Sequence, residues 1–140
     1  MRFMMMVRAN RDTEAGVMPE EQLIAAMTKY NEELEKASAL VDLGGLQPSS
    51  KGARIKFSGG KPTVVDGPFA ETKELIAGYW VIQAKSKEEA IEWAKRCPNP
   101  FGEGAAGEIE LRQLFELEDF SPSAAIEEAR KLENKLAKRK

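Results

Sequence analysis

Two short segments of this chain are apolar on both faces of an extended strand, and that restricts the fold more than any other feature. Phe3–Val7 reads FMMMV and Tyr79–Ile82 reads YWVI. Successive strand side chains point to opposite faces, so Tyr79 and Val81 point one way and Trp80 and Ile82 the other, while Met4 and Met6 oppose Met5. A strand that meets water on one face alternates; one apolar throughout meets water on neither. Both segments therefore belong in the middle of a sheet that is covered on both sides.

The rest of the chain supplies one of those covers. After the strand Arg2–Arg8 and a polar loop over Asn10–Gly16, Pro19 opens a helix with Glu20 and Glu21 at the positive end of its dipole. Leu23, Met27, Tyr30, Leu34 and Ala37 form its apolar stripe, and it ends before Gly44 and Gly45. A turn-rich loop over Leu46–Gly52 leads into an alternating strand, Ala53–Ser58. Gly59-Gly60 turns it into a short returning strand, Pro62–Val65, with Pro62 suited to an edge. The second apolar strand spans Ala77–Ala84. Ser86 and Glu89 make a capping-box signature for a helix carrying Ala90, Ile91, Ala94 and Cys97, which Pro98 and Pro100 stop. A glycine-rich loop over Asn99–Gly107 precedes an alternating strand, Glu108–Glu118. Ser121 caps, and Pro122 starts, a tail helix striped by Ile126, Ala129, Leu132 and Leu136.

The order strand, helix, strand with a hairpin partner, strand, helix, strand is a ferredoxin-like split βαβ arrangement of α+β class. It divides the chain into an α+β domain over residues 1–120 and a basic amphipathic helix over 121–140. Both main helices fall on one face of an antiparallel sheet, so the second face needs another cover. Left bare, it would expose a patch on the order of several hundred Å2, which monomers rarely tolerate. A second copy with two-fold symmetry is the simplest cover, giving a homodimeric α+β barrel with room for a ligand between the sheets.

Composition removes whole classes of chemistry. The 140 residues include no histidine, which excludes Ser–His and Cys–His nucleophilic pairs and every metal site built on imidazole. No metal or other cofactor is expected. A net charge of −2 gives no overall pull towards nucleic acid. Cys97 is alone, so no internal disulfide forms and a reducing compartment is favoured. The N-terminal apolar run is too short for a signal peptide or a membrane span, which makes the cytoplasm the expected location and excludes a membrane partner.

Asp66–Glu74 reads DGPFAETKE. With the MRFMMMV strand, the KYNEEL helix, GLQPSSKGARI and WAKRCP, it resembles the DGPF branch of the YCII-related (YciI-like) family over roughly Met1–Pro98. The resemblance implies a dimeric α+β barrel, an architecture shared by small isomerases, monooxygenases and ligand-binding proteins, so the fold itself says little about activity. Better-studied relatives are thought to use a His–Asp pair between the sheets. This sequence has no histidine to supply one.

Asp66 and Glu71 are the candidate catalytic carboxylates, with Asp66 as general base and Arg54 or Lys73 holding an anionic substrate. Gly67, Pro68 and Phe69 of the same turn are candidate ligand contacts. The bland reading stands beside this one, because Asp-Gly-Pro is also favourable turn chemistry. Tyr79, with Met5 and its methionine neighbours, is a candidate pocket wall, or plain core and interface packing. Ser49 and Lys51 in PSSKG lack the glycine spacing of a phosphate loop. Cys97, at the negative end of a helix, reads as an inert core thiol. The tail from Ser121 carries six basic and three acidic residues, which suits a helix end before it suits nucleic acid. Three functions remain open: a binder of a small anionic or aromatic molecule, a metal-independent isomerase, lyase or dehydrohalogenase using carboxylates, and a regulatory interaction module. A carboxylate of raised pKa in a closed cavity marks the enzyme, a cavity without one the binder, and no cavity at all the interaction module.

Overall fold

A computed structural model describes residues 1–139. Strand β1 (Arg2–Arg8) buries Phe3, Met5 and Val7 and leaves Met4 and Met6 half-buried on the other face. It lies between β5 (Ile76–Gln83) and β6 (Ile109–Gln113), and β2 (Leu40–Gly45) flanks β5, so the sheet order is β2-β5-β1-β6 with every pair antiparallel. The two doubly apolar strands are the central pair, as their composition requires.

Helices α2 (Glu21–Lys36) and α3 (Lys87–Arg96) pack on the Phe3–Met5–Val7 face. Tyr30 and Leu34 of α2 and Ala90 of α3 join Trp80 and Ile82 in one core. Phe3, Met5, Leu34 and Ile82 are fully buried, each worth about 1.5–3 kcal/mol of apolar burial. Tyr30 stands edge-on to Trp80 with ring centroids 5.8 Å apart, and its hydroxyl donates to the Trp93 carbonyl at 2.7 Å. Trp80 Nε1 donates to Asn31 Oδ1 at 2.7 Å. Both aromatic polar ends are satisfied, which is what allows rings of that size inside. Burial raises the Tyr30 phenol well above its ordinary pKa.

The opposite sheet face carries no α2 or α3 side chain of the core. In register, Met4 lies beside Val81 and Met6 beside Tyr79, with Arg112 and Glu110 on the β6 side. Gly44 of β2 pairs with Tyr79, and a Cβ there would stand 3.0 Å from the tyrosine ring. The missing side chain lets that ring lie across the strand.

Several boundaries differ from the sequence reading. Asn10–Gly16 is not all loop: α1 (Arg11–Glu14) is one turn, closed by reciprocal bonds between Asn10 and Thr13. Pro19 precedes the N-cap, Glu20, and α2 stops at Lys36, leaving room for β2. The strands β3 (Ala53–Ser58) and β4 (Lys61–Asp66) form a separate two-stranded sheet, not an edge of the main one. Gly59 and Gly60 both have positive φ, as the tight turn demands. All strand residues of this hairpin are exposed, with Ile55, Phe57, Pro62 and Val64 on one face and Arg54, Lys56 and Thr63 on the other. The alternation after Glu108 is paired only to Gln113; beyond it the Arg2 carbonyl takes the Leu114 N–H, while the Met1 carbonyl accepts from Ala84 on the other side. Ser86 caps α3 by accepting from Glu89 N, while the Glu89 carboxylate reaches Lys85 N. Ser123, not Ser121, caps the tail helix α4 (Ala124–Ala137), which buries no residue. It touches its own chain through half-buried Ile126 and Ala129 and through Arg130, 3.0 Å from Glu118.

Candidate functional site

The Asp66–Phe69 turn is bolted to a second turn 20 residues earlier in the chain. Gly67 N donates to the Gly52 carbonyl at 3.0 Å, and Phe69 N donates to Ser49 Oγ at 3.0 Å. A Cβ on Gly67 would collide with the Ser49 carbonyl, so only glycine lets the two backbones come this close. The Gly67–Pro68 peptide is cis. Ser49 opens a short 3-10 turn over Ser49–Lys51 and is itself held by Glu14: its N–H donates to Glu14 Oε1 at 3.0 Å and its hydroxyl to Glu14 Oε2. The Asn10–Thr13 cap fixes the turn that carries Glu14. A chain of hydrogen bonds thus runs from α1 through Ser49 to the Phe69 backbone.

Arg54, at the start of β3, lays its guanidinium carbon 3.9 Å above the centroid of the Phe69 ring. Such stacking is worth about 0.5–1 kcal/mol at an exposed site and leaves the in-plane N–H groups free to donate. Beside this pair is a cleft of about 260 Å3. Glu14, Ser49, Arg54, Phe69 and Glu74 line it, with apolar lining from Leu46, Leu75 and Ile76. Arg54 forms no ion pair among the described residues. Glu14 already accepts two bonds from Ser49. The cleft therefore offers a guanidinium fork, a flat apolar surface and, on Glu74, an acceptor.

Of the residues singled out from the sequence, Arg54 and Phe69 are brought together and line this cleft, with Gly67 holding the turn behind them. Asp66 ends β4 opposite Ala53 and is exposed, as are Pro68, Glu71 and Lys73, and none of the four lines the cleft. Glu71 accepts from Glu74 N through its carbonyl, and the Lys73 carbonyl accepts from the Arg8 guanidinium. Met5 is fully buried on the helix side of the sheet, whereas Tyr79 is half-buried on the other side, so the two share no pocket. Ser49, weighed earlier only as an anion site, proves to be the pin between the turns. Glu14 and Glu74 had no local signal: the Asn10–Thr13 cap marks a turn, but nothing nearby in sequence points to a partner 35 residues on.

Other titratable groups stand apart from this cleft. Burial pushes the Cys97 thiol up to about 12, and its Sγ donates to the Pro98 carbonyl. Among the described residues no group of three or more acidic or cysteine side chains could hold a metal ion, and no helix is long and apolar enough to cross a membrane.

Comparison with known proteins gives two findings. A family model described as the YCII-related domain matches residues 1–118. An uncharacterized protein of Rhizobium meliloti (strain 1021) is 30% identical over 95 residues, covering 68% of this chain and 75% of that protein.

Proposed function

This chain belongs to the YCII-related domain family, and from that premise we propose that it binds a small anionic or aromatic molecule in the cleft beside the Asp66–Phe69 turn. The observation that carries the reading is the Arg54 guanidinium stacked on Phe69 at 3.9 Å, unpaired with any described carboxylate, in a cleft with apolar side chains in its lining. An arginine held flat by a ring is preorganised to take a carboxylate with two parallel N–H bonds. Glu74 across the cleft favours a ligand that also brings a donor. Asp66 and Glu71 are exposed and neither lines the cleft, which supports binding over acid–base catalysis there.

The binding unit in this reading is a homodimer whose sheets face one another across Met4, Met6, Tyr79 and Val81. The apolar character of that face, opposite the two helices, is its support. Sedimentation at micromolar concentration checks it: the parent runs as an assembly and Met6→Lys loosens it.

The ligand is tested by a thermal-shift screen of small aromatic and aliphatic carboxylates, followed by calorimetry on the hits. Arg54→Ala is expected to weaken binding by about 10- to 150-fold, the equivalent of one charge-assisted contact of about 1.5–3 kcal/mol. Asp66→Asn is expected to bind as the parent does. Unchanged affinity in Arg54→Ala overturns the assignment, and a hit that is turned over by the parent but not by Asp66→Asn replaces it with the acid–base enzyme.

A further inference from the structure

The matched family region ends at residue 118, and α4 lies wholly beyond it. A 14-residue helix that buries nothing is marginal in water by itself. Its apolar stripe is nevertheless complete: at 100° per residue Ala125, Ala129, Leu132 and Leu136 fall on one face. Leu132 is 58% exposed and Leu136 49%. The contacts to its own chain, at Ile126, Ala129 and Arg130, run along one edge of that stripe and leave Leu132 and Leu136 open.

The charges beside the stripe say what covers it. Along its other flank come Glu128 and then Lys135. A parallel pair of such helices would bring Glu128 against the opposite flank, where Glu133 of the partner subunit is a like charge. A two-fold antiparallel pair sets Glu128 against Lys135 of the partner subunit, twice over, because an isologous contact repeats each pairing. Size agrees with charge. With the axis near Leu132, Leu136 falls over Ala129 of the partner subunit, a large side chain over a small one. Among the described residues Glu128 pairs only with Lys131, at 3.3 Å, both side chains being more than 70% exposed, and such a pair yields readily to a better partner.

We infer that α4 is a self-recognition element, pairing antiparallel with α4 of a second copy about an axis near Leu132. The inference rests on α4 itself and not on the sheet-face dimer.

The test uses the full chain. Leu132→Cys, placed in a Cys97→Ala background and oxidised at micromolar concentration, is expected to cross-link two copies through position 132. Glu128→Lys is expected to raise the dissociation constant of the α4-mediated assembly at least tenfold, and Glu128→Lys with Lys135→Glu to restore it. Circular dichroism checks that helix content is kept. The sheet-face variant Met6→Lys is expected to leave the cross-link at position 132 in place. Failure of Leu132→Cys to cross-link overturns the inference, as does a charge swap that restores nothing. Co-sedimentation with phosphatidylserine vesicles that disappears in Leu132→Asp/Leu136→Asp, with assembly mass unchanged by that variant, overturns it in favour of a lipid surface.

Discussion

Ser49→Ala removes one oxygen atom and, with it, the pin between two turns. The hydroxyl accepts from Phe69 N at 3.0 Å and donates to the Glu14 carboxylate. A neutral bond of this kind is worth about 0.5–1.5 kcal/mol net and one to a charged group about 1.5–3. Both are only part-buried, so the low ends apply and the sum is about 2 kcal/mol. The turn carries the hairpin β3–β4, whose strand residues are all exposed, so it has few buried contacts tying it to the core. The loss should therefore appear as local opening, not as global destabilisation. Amide hydrogen exchange measured by NMR is expected to accelerate about thirtyfold at Phe69, since each 1.4 kcal/mol is a factor of ten. Gly67 N, bonded to the Gly52 carbonyl in the same clamp, should accelerate with it. Met5 and Ile82, in the middle of the core, should exchange as in the parent. Ser50→Ala, one residue on, should change nothing. Exchange at Phe69 within about threefold of the parent, or equal acceleration at Met5 and Ile82, would refute this account of how the turn is held.

Tyr30→Phe leaves the Trp93 carbonyl without its 2.7 Å donor in a part-buried site, a cost of about 1–2 kcal/mol. Thermal melts should fall by about 3–8 °C; a fall below about 1 °C contradicts the role given to that bond. Cys97, whose ordinary value of 9.0 is raised to about 12 by burial, should react with iodoacetamide at pH 8 about a thousandfold more slowly than a free cysteine, because the thiolate fraction falls tenfold per unit. Alkylation at the rate of an exposed thiol shows that the site is open. Both Cys97 and Tyr30 are raised above their unfolded values, so the stability they lend is whole below about pH 9 and is lost as the pH climbs towards their folded values. Urea midpoints should hold from about pH 7 to 8.5 and then decline, less steeply in Cys97→Ala/Tyr30→Phe; an identical decline in that variant assigns the alkaline sensitivity elsewhere.

The strongest periodicities carried most of the fold. FMMMV and YWVI specify central strands because no solvated edge tolerates them, and the stripes of α2 and α3 locate the helical cover. What escaped was set by distant partners. Leu40–Gly45 ends in two glycines, which reads as the close of a helix; it becomes a strand because β5 offers an edge and Tyr79 needs the bare Cα of Gly44. The alternating residues after Gln113 look like strand to the end, yet the Leu114 N–H makes the last bond, to the Arg2 carbonyl, and the Met1 carbonyl accepts from Ala84 instead. In the cleft, Arg54 and Phe69 were legible as types and not as a stacked pair. Glu14 reaches Ser49 only through the folded path between them. Asp66 is legible as a carboxylate, but the Gly67 and Phe69 backbone N–H groups that tie this turn down carry no side-chain signal.

The β3–β4 hairpin raises a question of solubility. Its two outer rims present backbone N–H and C=O groups with no strand beside them, and one broad side is greasy. Ribbons of that kind tend to stack without limit unless something spoils the fit. Here Lys56 and Lys61 put like charges where a neighbouring ribbon would sit, and Pro62 withholds an N–H from the row. Exposed charges repel over only about 10 Å at 0.1 M salt, so these gatekeepers weaken as ionic strength rises, and the hairpin makes the protein's colloidal behaviour a function of the salt around it.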